Sequence, residues 1–199
     1  DDRTLWGGEF LLGNYERVTR IGTFKPVPMP GGVQAIKEPW RNTYAPLKRG
    51  MGWDQVAQTY HQTPMFQYLE NKPRHILDQM LAKGINRPMT SSCGRLFDAV
   101  AAAMGICPDE VFFEGQAAME LEALVDASTL HSEDEALAYP FAISALPDSY
   151  VPAIDPLPMW HALLNDLQCQ TSIPMMAARF HKGLAEAIAT MVIHLTQST

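Results

Sequence analysis

Cysteine is scarce in this sequence and does not pair. Cys93, Cys107 and Cys169 are odd in number, and no two form a Cys-x-x-Cys motif. That argues against a disulfide framework or a zinc ribbon and points to a reducing, cytoplasmic compartment. Positive charge is also short: 15 Lys and Arg stand against 22 Asp and Glu, a formal net charge of −7. An acidic surface repels phosphate backbones, and Lys48-Arg49 is too small a basic patch to offset it, so no nucleic-acid partner is expected. No apolar run approaches the ~18 residues of a membrane span, so no membrane association is expected. Asp1-Asp2-Arg3 is charged and no apolar stretch follows, so no signal peptide is expected there. A start without Met is compatible with a domain taken from a longer protein. Gly-x-Gly-x-x-Gly, P-loop and Gly-x-Ser-x-Gly signatures are missing. The six histidines (His61, His75, His131, His161, His181, His194) include no His-x-x-x-His pair. No metal site made wholly by this chain is expected.

What remains is a globular sequence. Hydrophobic residues make up 47% of 199 positions, enough for one sizeable core or two small subdomains. Residues 1–25 read as a β ribbon, with Gly13-Asn14 as the turn and alternation from Tyr15 to Phe24. Such a ribbon is marginal alone, and its packing partner is expected to lie outside the chain. A Pro/Gly connector, 26–32, follows. The pattern then turns helical over 33–127, with one helix at 33–47 running through Pro39 and others at 53–60, 65–70, 73–83, 91–104 and 116–127. Residues 128–136 read as a loop, and 137–146 and 150–154 as strands joined at Pro147-Asp148. Helices resume at 158–168 and 173–195, the last with Met176, Phe180, Leu184, Ile188, Met191 and Leu195 on one face. The fold class is mainly α with a small β component (α+β).

Three places carry chemistry. Ser91 or Ser92 caps a helix whose N-terminus offers free N–H groups, with Gly94 allowing close approach and Arg95 adding a cation. That suits an anion, and Asp98 one turn on suits a ribose hydroxyl. The plainer alternative is a capped core helix with a solvated Arg–Asp pair. Glu114-Gly115-Gln116 opens the following helix and either lines a cleft or simply caps it. His181 is either a cleft residue or a hydrogen-bonded structural histidine.

Five segments in order resemble one family. Trp6-Gly7-Gly8-Glu9-Phe10 is similar to its Trp-Gly-Gly-Glu strand. Pro30-Gly31-Gly32 and Glu38-Pro39-Trp40-Arg41 are similar to its Pro-Gly-Gly and Glu-Pro-Trp-Arg motifs. Ser91-Ser92-Cys93-Gly94-Arg95-Leu96-Phe97-Asp98-Ala99-Val100 resembles its Ser-Ser-x-Gly-Arg-Leu-Phe-Asp-Ala-Val helix. Phe113-Glu114-Gly115-Gln116-Ala117-Ala118 and Ala178-Arg179-Phe180-His181 resemble two further motifs. The family is the HypF carbamoyltransferases of hydrogenase maturation. The resemblance spans 1–199 as a fragment of the C-terminal, TsaD-like transfer domain of the actin-like ATPase superfamily. Residues 128–155 match poorly and are expected to be a variable insertion.

The resemblance implies a cytoplasmic enzyme that uses carbamoyl phosphate and ATP to make carbamoyl adenylate. It then carbamoylates the C-terminal cysteine of HypE, for cyanide-ligand synthesis in [NiFe] hydrogenase. By matching motifs, Asp98 would bind the nucleotide ribose, with Gly94, Gly115 and Gln116 beside it. Arg95, Glu114 and His181 are further cleft candidates. A divalent metal would be held by residues outside this chain, and catalytic residues are not assigned. The fragment alone is expected to be inactive. A homodimer is compatible with the sequence. The alternatives are an O-carbamoyltransferase of the same superfamily, with a hydroxyl acceptor, and a non-catalytic helical docking module.

Overall fold

A computed structural model of the chain describes residues 4–146 and 149–197. The elements run β1 (Thr4–Leu5), β2 (Glu9–Gly13), β3 (Val18–Phe24), β4 (Val27–Pro28), α1 (Val33–Lys37), α2 (Trp40–Gly50), α3 (Trp53–Tyr60), α4 (Pro64–Glu70) and α5 (Arg74–Lys83). Then come β5 (Met89–Thr90), α6 (Cys93–Ala103), α7 (Gln116–Ala123), α8 (Ala127–Leu130), a 3-10 turn at Glu135–Leu137, β6 (Ala142–Ala145), β7 (Pro152–Asp155), α9 (Leu157–Gln168) and α10 (Ile173–Gln197). The α+β class holds.

Two small sheets frame the helices. One is β1-β5-β4 and the other β2-β3-β7-β6. The N-terminal hairpin finds its partner inside the chain, contrary to expectation: β3 pairs in parallel with β7, Thr23 opposite Ala153 and Phe24 opposite Ile154. Lys25 Nζ adds a 2.6 Å bridge to Asp155 Oδ2. β6 lies antiparallel to β7 as the sequence suggested, while the expected Pro147-Asp148 turn falls outside the described residues.

Pro39 divides the helix expected over 33–47. A residue before proline is pushed out of the α region, and Glu38 sits at φ −116°, ψ 84°. Pro39 then starts α2. The helix expected over 116–127 stops at Ala123, and α8 follows inside the stretch read as a loop. The two-residue strands β1, β4 and β5 have no sequence period to betray them.

The core gathers Tyr44, Leu47, Leu77, Val100, Leu121, Tyr139, Trp160 and Phe180, each almost wholly buried. On α10 the buried line is Met176, Phe180, Leu184, Ala187, Met191 and Leu195, with Ile188 turned partly outward. Three turns of 3.6 residues from Met176 reach position 187, so the α-helical repeat selects Ala187 over Ile188. Helix α6 runs through this core with Ala99 to Ala103 all buried. It ends in a left-handed Gly105 (φ +83°). There Gly105 N–H donates to Ala102 O and Ile106 N–H to Ala101 O, so two of the last carbonyls are met.

Candidate functional site

The family-like motifs interlock in pairs. Gly7 and Gly8 lie directly on Ser91 and Ser92. A Cβ on Gly8 would collide with the Ser91 carbonyl and the Phe24 ring, and one on Gly7 would lie 3.1 Å from Ser92. Cys93 N–H donates to Gly7 O at 3.1 Å, tying the β1–β2 loop to the start of α6. Glu9 collects the polar groups at this crossing. Its carboxylate accepts from the N–H groups of Gly7 (2.6 Å) and Gly8 (2.9 Å), from Thr23 Oγ1 and from Ser91 Oγ. In the second pair, Arg41 lies against Gly31, where a Cβ would stand 3.0 Å from its Nη1. Burial works against the charge on Glu38. Hydrogen bonds from Arg41 and Gln34 outweigh it and hold the carboxyl below its ordinary pKa.

Ser92 is the cap of α6: its Oγ accepts from Arg95 N–H at 3.2 Å. The first turn then presents Arg95 to a cleft of about 500 Å³. Trp6, Lys37, Phe112, Phe113 and Glu114 line the same space. The two phenylalanines are 81% and 55% exposed, and Trp6, with the Arg20 guanidinium 4.7 Å over its ring, is 50% exposed, so aromatic surface lies beside the Arg95 and Lys37 cations and the Glu114 carboxylate.

Asp98 stands behind Arg95. Its side chain is 5% exposed, and Arg95 Nη2 lies 3.0 Å from its Oδ2. The pair is buried, not the solvated pair of the plainer alternative. It is also imperfectly matched: the 3.0 Å contact of Arg95 Nη2 with Asp98 Oδ2 is not an aligned hydrogen bond, and Arg95 Nε has no hydrogen-bond partner. Burial raises the Asp98 pKa to about 6, with Arg95 pulling only partly the other way.

The other sequence candidates separate. Glu114 joins Arg95 in the cleft lining, whereas Gly94, Gly115, Gln116 and His181 do not belong to it. Gly115 takes a left-handed conformation (φ +79°) at the cap of α7, with no atom within 4 Å of where a Cβ would sit. Gln116 Oε1 accepts from Phe112 N–H at 2.8 Å, and its Nε2 donates to Glu120 at 2.9 Å, so it braces the turn that carries Phe112 and Phe113. His181 packs edge-on to Phe97 and Phe180, its Nδ1 2.8 Å from Ala177 O. That is the structural alternative of its two readings. Glu9, Trp6, Lys37, Phe112 and Phe113 were not singled out as site residues from sequence. The adjacent pair Phe112-Phe113 beside a glycine turn, with no helical partners, was the available signal.

Neither half-buried thiol is poised as a nucleophile. Burial pushes Cys93 up to about 11, and burial with Glu120 does the same to Cys107. Among the described residues, no three His, Cys, Asp or Glu side chains converge to hold a metal ion. No helix there is long and apolar enough to cross a membrane.

Comparison with known proteins places the chain in a family. A family model described as the second subdomain of the carbamoyltransferase Kae1-like domain matches residues 1–199. The carbamoyltransferase HypF of Rhodobacter capsulatus is 46% identical over 123 residues, covering 62% of this chain and 15% of that protein. The HypF of Synechocystis sp. is 33% identical over 199 residues, covering 96% of this chain and 25% of that protein. The crystal structure of full-length HypF in its phosphate- and nucleotide-bound form superposes with a TM-score of 0.79 at 28% identity, over 98% of this chain and 23% of that one. The chain thus spans about a quarter or less of these relatives' length. It belongs to the HypF carbamoyltransferase family, as the second subdomain of the Kae1-like domain.

Proposed function

We propose that this chain forms one wall of the site where a HypF-type enzyme passes a carbamoyl group from carbamoyl adenylate to the C-terminal cysteine of HypE. The adenylate would come from carbamoyl phosphate and ATP, and the product would serve cyanide-ligand synthesis for [NiFe] hydrogenase in the cytoplasm. The observation that carries this reading is Asp98: a buried carboxylate whose Oδ2 makes no aligned hydrogen bond, ion-paired to Arg95, which lines an aromatic cleft. A ribose hydroxyl would supply the missing donor, since buried acceptors without partners are costly. Gly115 and Gln116 would shape the neighbouring turn, and the open space at Gly115 leaves room for a ligand.

In the transfer itself, the partner's thiolate forms a sulfur–carbon bond as the carbon–oxygen bond to the adenylate phosphate breaks. AMP leaves, and a thiocarbamate remains. This chain's part is to bind and orient the nucleotide. The nucleophile is the partner's, in keeping with the raised pKa values of Cys93 and Cys107. Without a metal-ligand cluster among its described residues, the isolated chain should not transfer carbamoyl groups. Nucleotide titration of the full-length protein with Asp98→Ala tests the site. Affinity for ATP should fall at least tenfold, roughly the worth of a charge-assisted hydrogen bond. Unchanged affinity sinks the assignment.

A further inference from the structure

Arg95 and Asp98 are three residues apart on α6, so their side chains share a face. An ion pair at this spacing is ordinarily a surface feature, yet here the two side chains are only 14% and 5% exposed. The 3.0 Å contact of Arg95 Nη2 with Asp98 Oδ2 is not an aligned hydrogen bond, and Arg95 Nε has no partner. A buried pair stabilises a fold only when its remaining lone pairs and protons are satisfied. This one is not, so it is a contact that a ligand can improve on. Access to it is one-sided: Arg95 lines the cleft and Asp98 does not. The cleft also carries the Trp6, Phe112 and Phe113 rings and the Lys37 ammonium. Flat apolar surface next to cations suits a planar ring bearing an anionic group.

We propose that Arg95 is a positioning residue that latches Asp98 until a phosphate arrives. In the unliganded chain its guanidinium covers the carboxylate. A nucleoside monophosphate, or the matching part of an acyl adenylate, draws the guanidinium onto its phosphate oxygens. Asp98 is thereby uncovered to accept from the ribose. A bare nucleoside has to break the same pair with nothing to replace it, so phosphate recognition becomes the condition for ribose recognition. The inference rests on the nucleotide reading of Asp98 and adds to it a second residue and an order of events.

The test is calorimetric titration of the full-length protein with AMP and with adenosine, for wild type, Arg95→Gln, Arg95→Lys and Asp98→Asn. Comparing variants isolates this site from any other in the protein. Arg95→Gln should weaken AMP roughly tenfold or more, the worth of one charge-assisted contact, while adenosine binds as before or more tightly. The ratio of the two affinities is the readout, because a merely structural role would move both ligands together. Equal weakening of both, or an unchanged ratio, overturns the latch. Should Arg95→Gln not fold, Arg95→Lys keeps the charge but loses the fork, and its AMP-to-adenosine ratio should still drop about threefold or more. An unchanged ratio there overturns the proposal equally. If Asp98→Asn binds both ligands like wild type, the nucleotide reading itself has failed, whatever Arg95 does.

Discussion

Asp98 and Asp166 each lie beside an arginine, Arg95 at 3.0 Å and Arg179 at 2.7 Å. Around Asp166 the carboxylate is fully met, although Arg179 Nε, like Arg95 Nε, is buried without a hydrogen-bond partner. Its carboxylate accepts from Tyr139 Oη (2.6 Å), Thr171 Oγ1 (3.1 Å) and twice from Arg179 Nη1. Burial, with Asp166 at its hydroxyl, pushes the Tyr139 phenol far above its ordinary pKa. Arg179 also lies over the Tyr139 ring at 5.0 Å, and its neighbour Lys182 holds the carbonyls of Ser132 and Asp134. This region fastens the 128–146 strap to α10. Around Asp98 the oxygen that meets Arg95 makes no aligned hydrogen bond. The same residue pair serves as a rivet where the carboxylate is saturated and, in the reading proposed above, as a site where it is not.

That contrast can be broken by experiment. Asp166→Ala strands Arg179 and Tyr139 and should cost about 3 kcal/mol in denaturant unfolding, with nucleotide affinity unchanged. Gly183→Ala on α10 would drive a Cβ into the Tyr139 backbone, 2.8 Å from its nitrogen and closer still to its carbonyl oxygen. Gly8→Ala would collide with the Ser91 carbonyl in the same way. Each should lose about 2 kcal/mol, the range for overpacking. Only Gly8→Ala should also weaken nucleotide binding, because Ser91 leads into the Arg95 turn. Equal effects of the two on binding would erase the distinction between rivet and site.

Asp98→Asn sharpens the comparison through pH. The folded pKa of about 6 exceeds the unfolded value of 3.8. The folded state therefore holds the proton more tightly, and Asp98's contribution to stability is lost as pH rises from about 4 to about 6. Unfolding free energies across that window should show the asparagine variant without this decline, a difference on the order of 2 kcal/mol. A wild-type slope retained in the variant would remove Asp98 as its source. Smallest of all, Ser92→Ala deletes the cap of α6 and should cost about 1 kcal/mol by thermal unfolding.

Much of the helical framework was legible because helices announce themselves over short distances. Gly84 and Gly105 end α5 and α6 in left-handed conformations, where the sequence placed the stops. Ser92 caps where a serine was expected. The paired glycine motifs marked the crossing of the β1–β2 loop with α6 without revealing that they touch, since contacts between residues 8 and 91 leave no periodic trace. The β3–β7 pairing was hidden for the same reason. Asp98 and Arg95 were singled out by type and spacing, but their burial was not legible. Whether an Arg–Asp pair is solvated depends on what packs over it, here the surroundings of an α6 that is buried from Asp98 to Ala103.

The parallel pairing of β3 with β7 also sets a timetable for the chain's making. Lys25 and its partner Asp155 are 130 positions apart. At ordinary rates of synthesis the second strand emerges on the order of ten seconds after the first. Until then the β2–β3 hairpin has an unclaimed edge, with Leu11, Leu12 and Val18 more than half exposed even in the finished fold, and a lone hairpin barely holds itself together. The hairpin is thus secured by a strand made long after it.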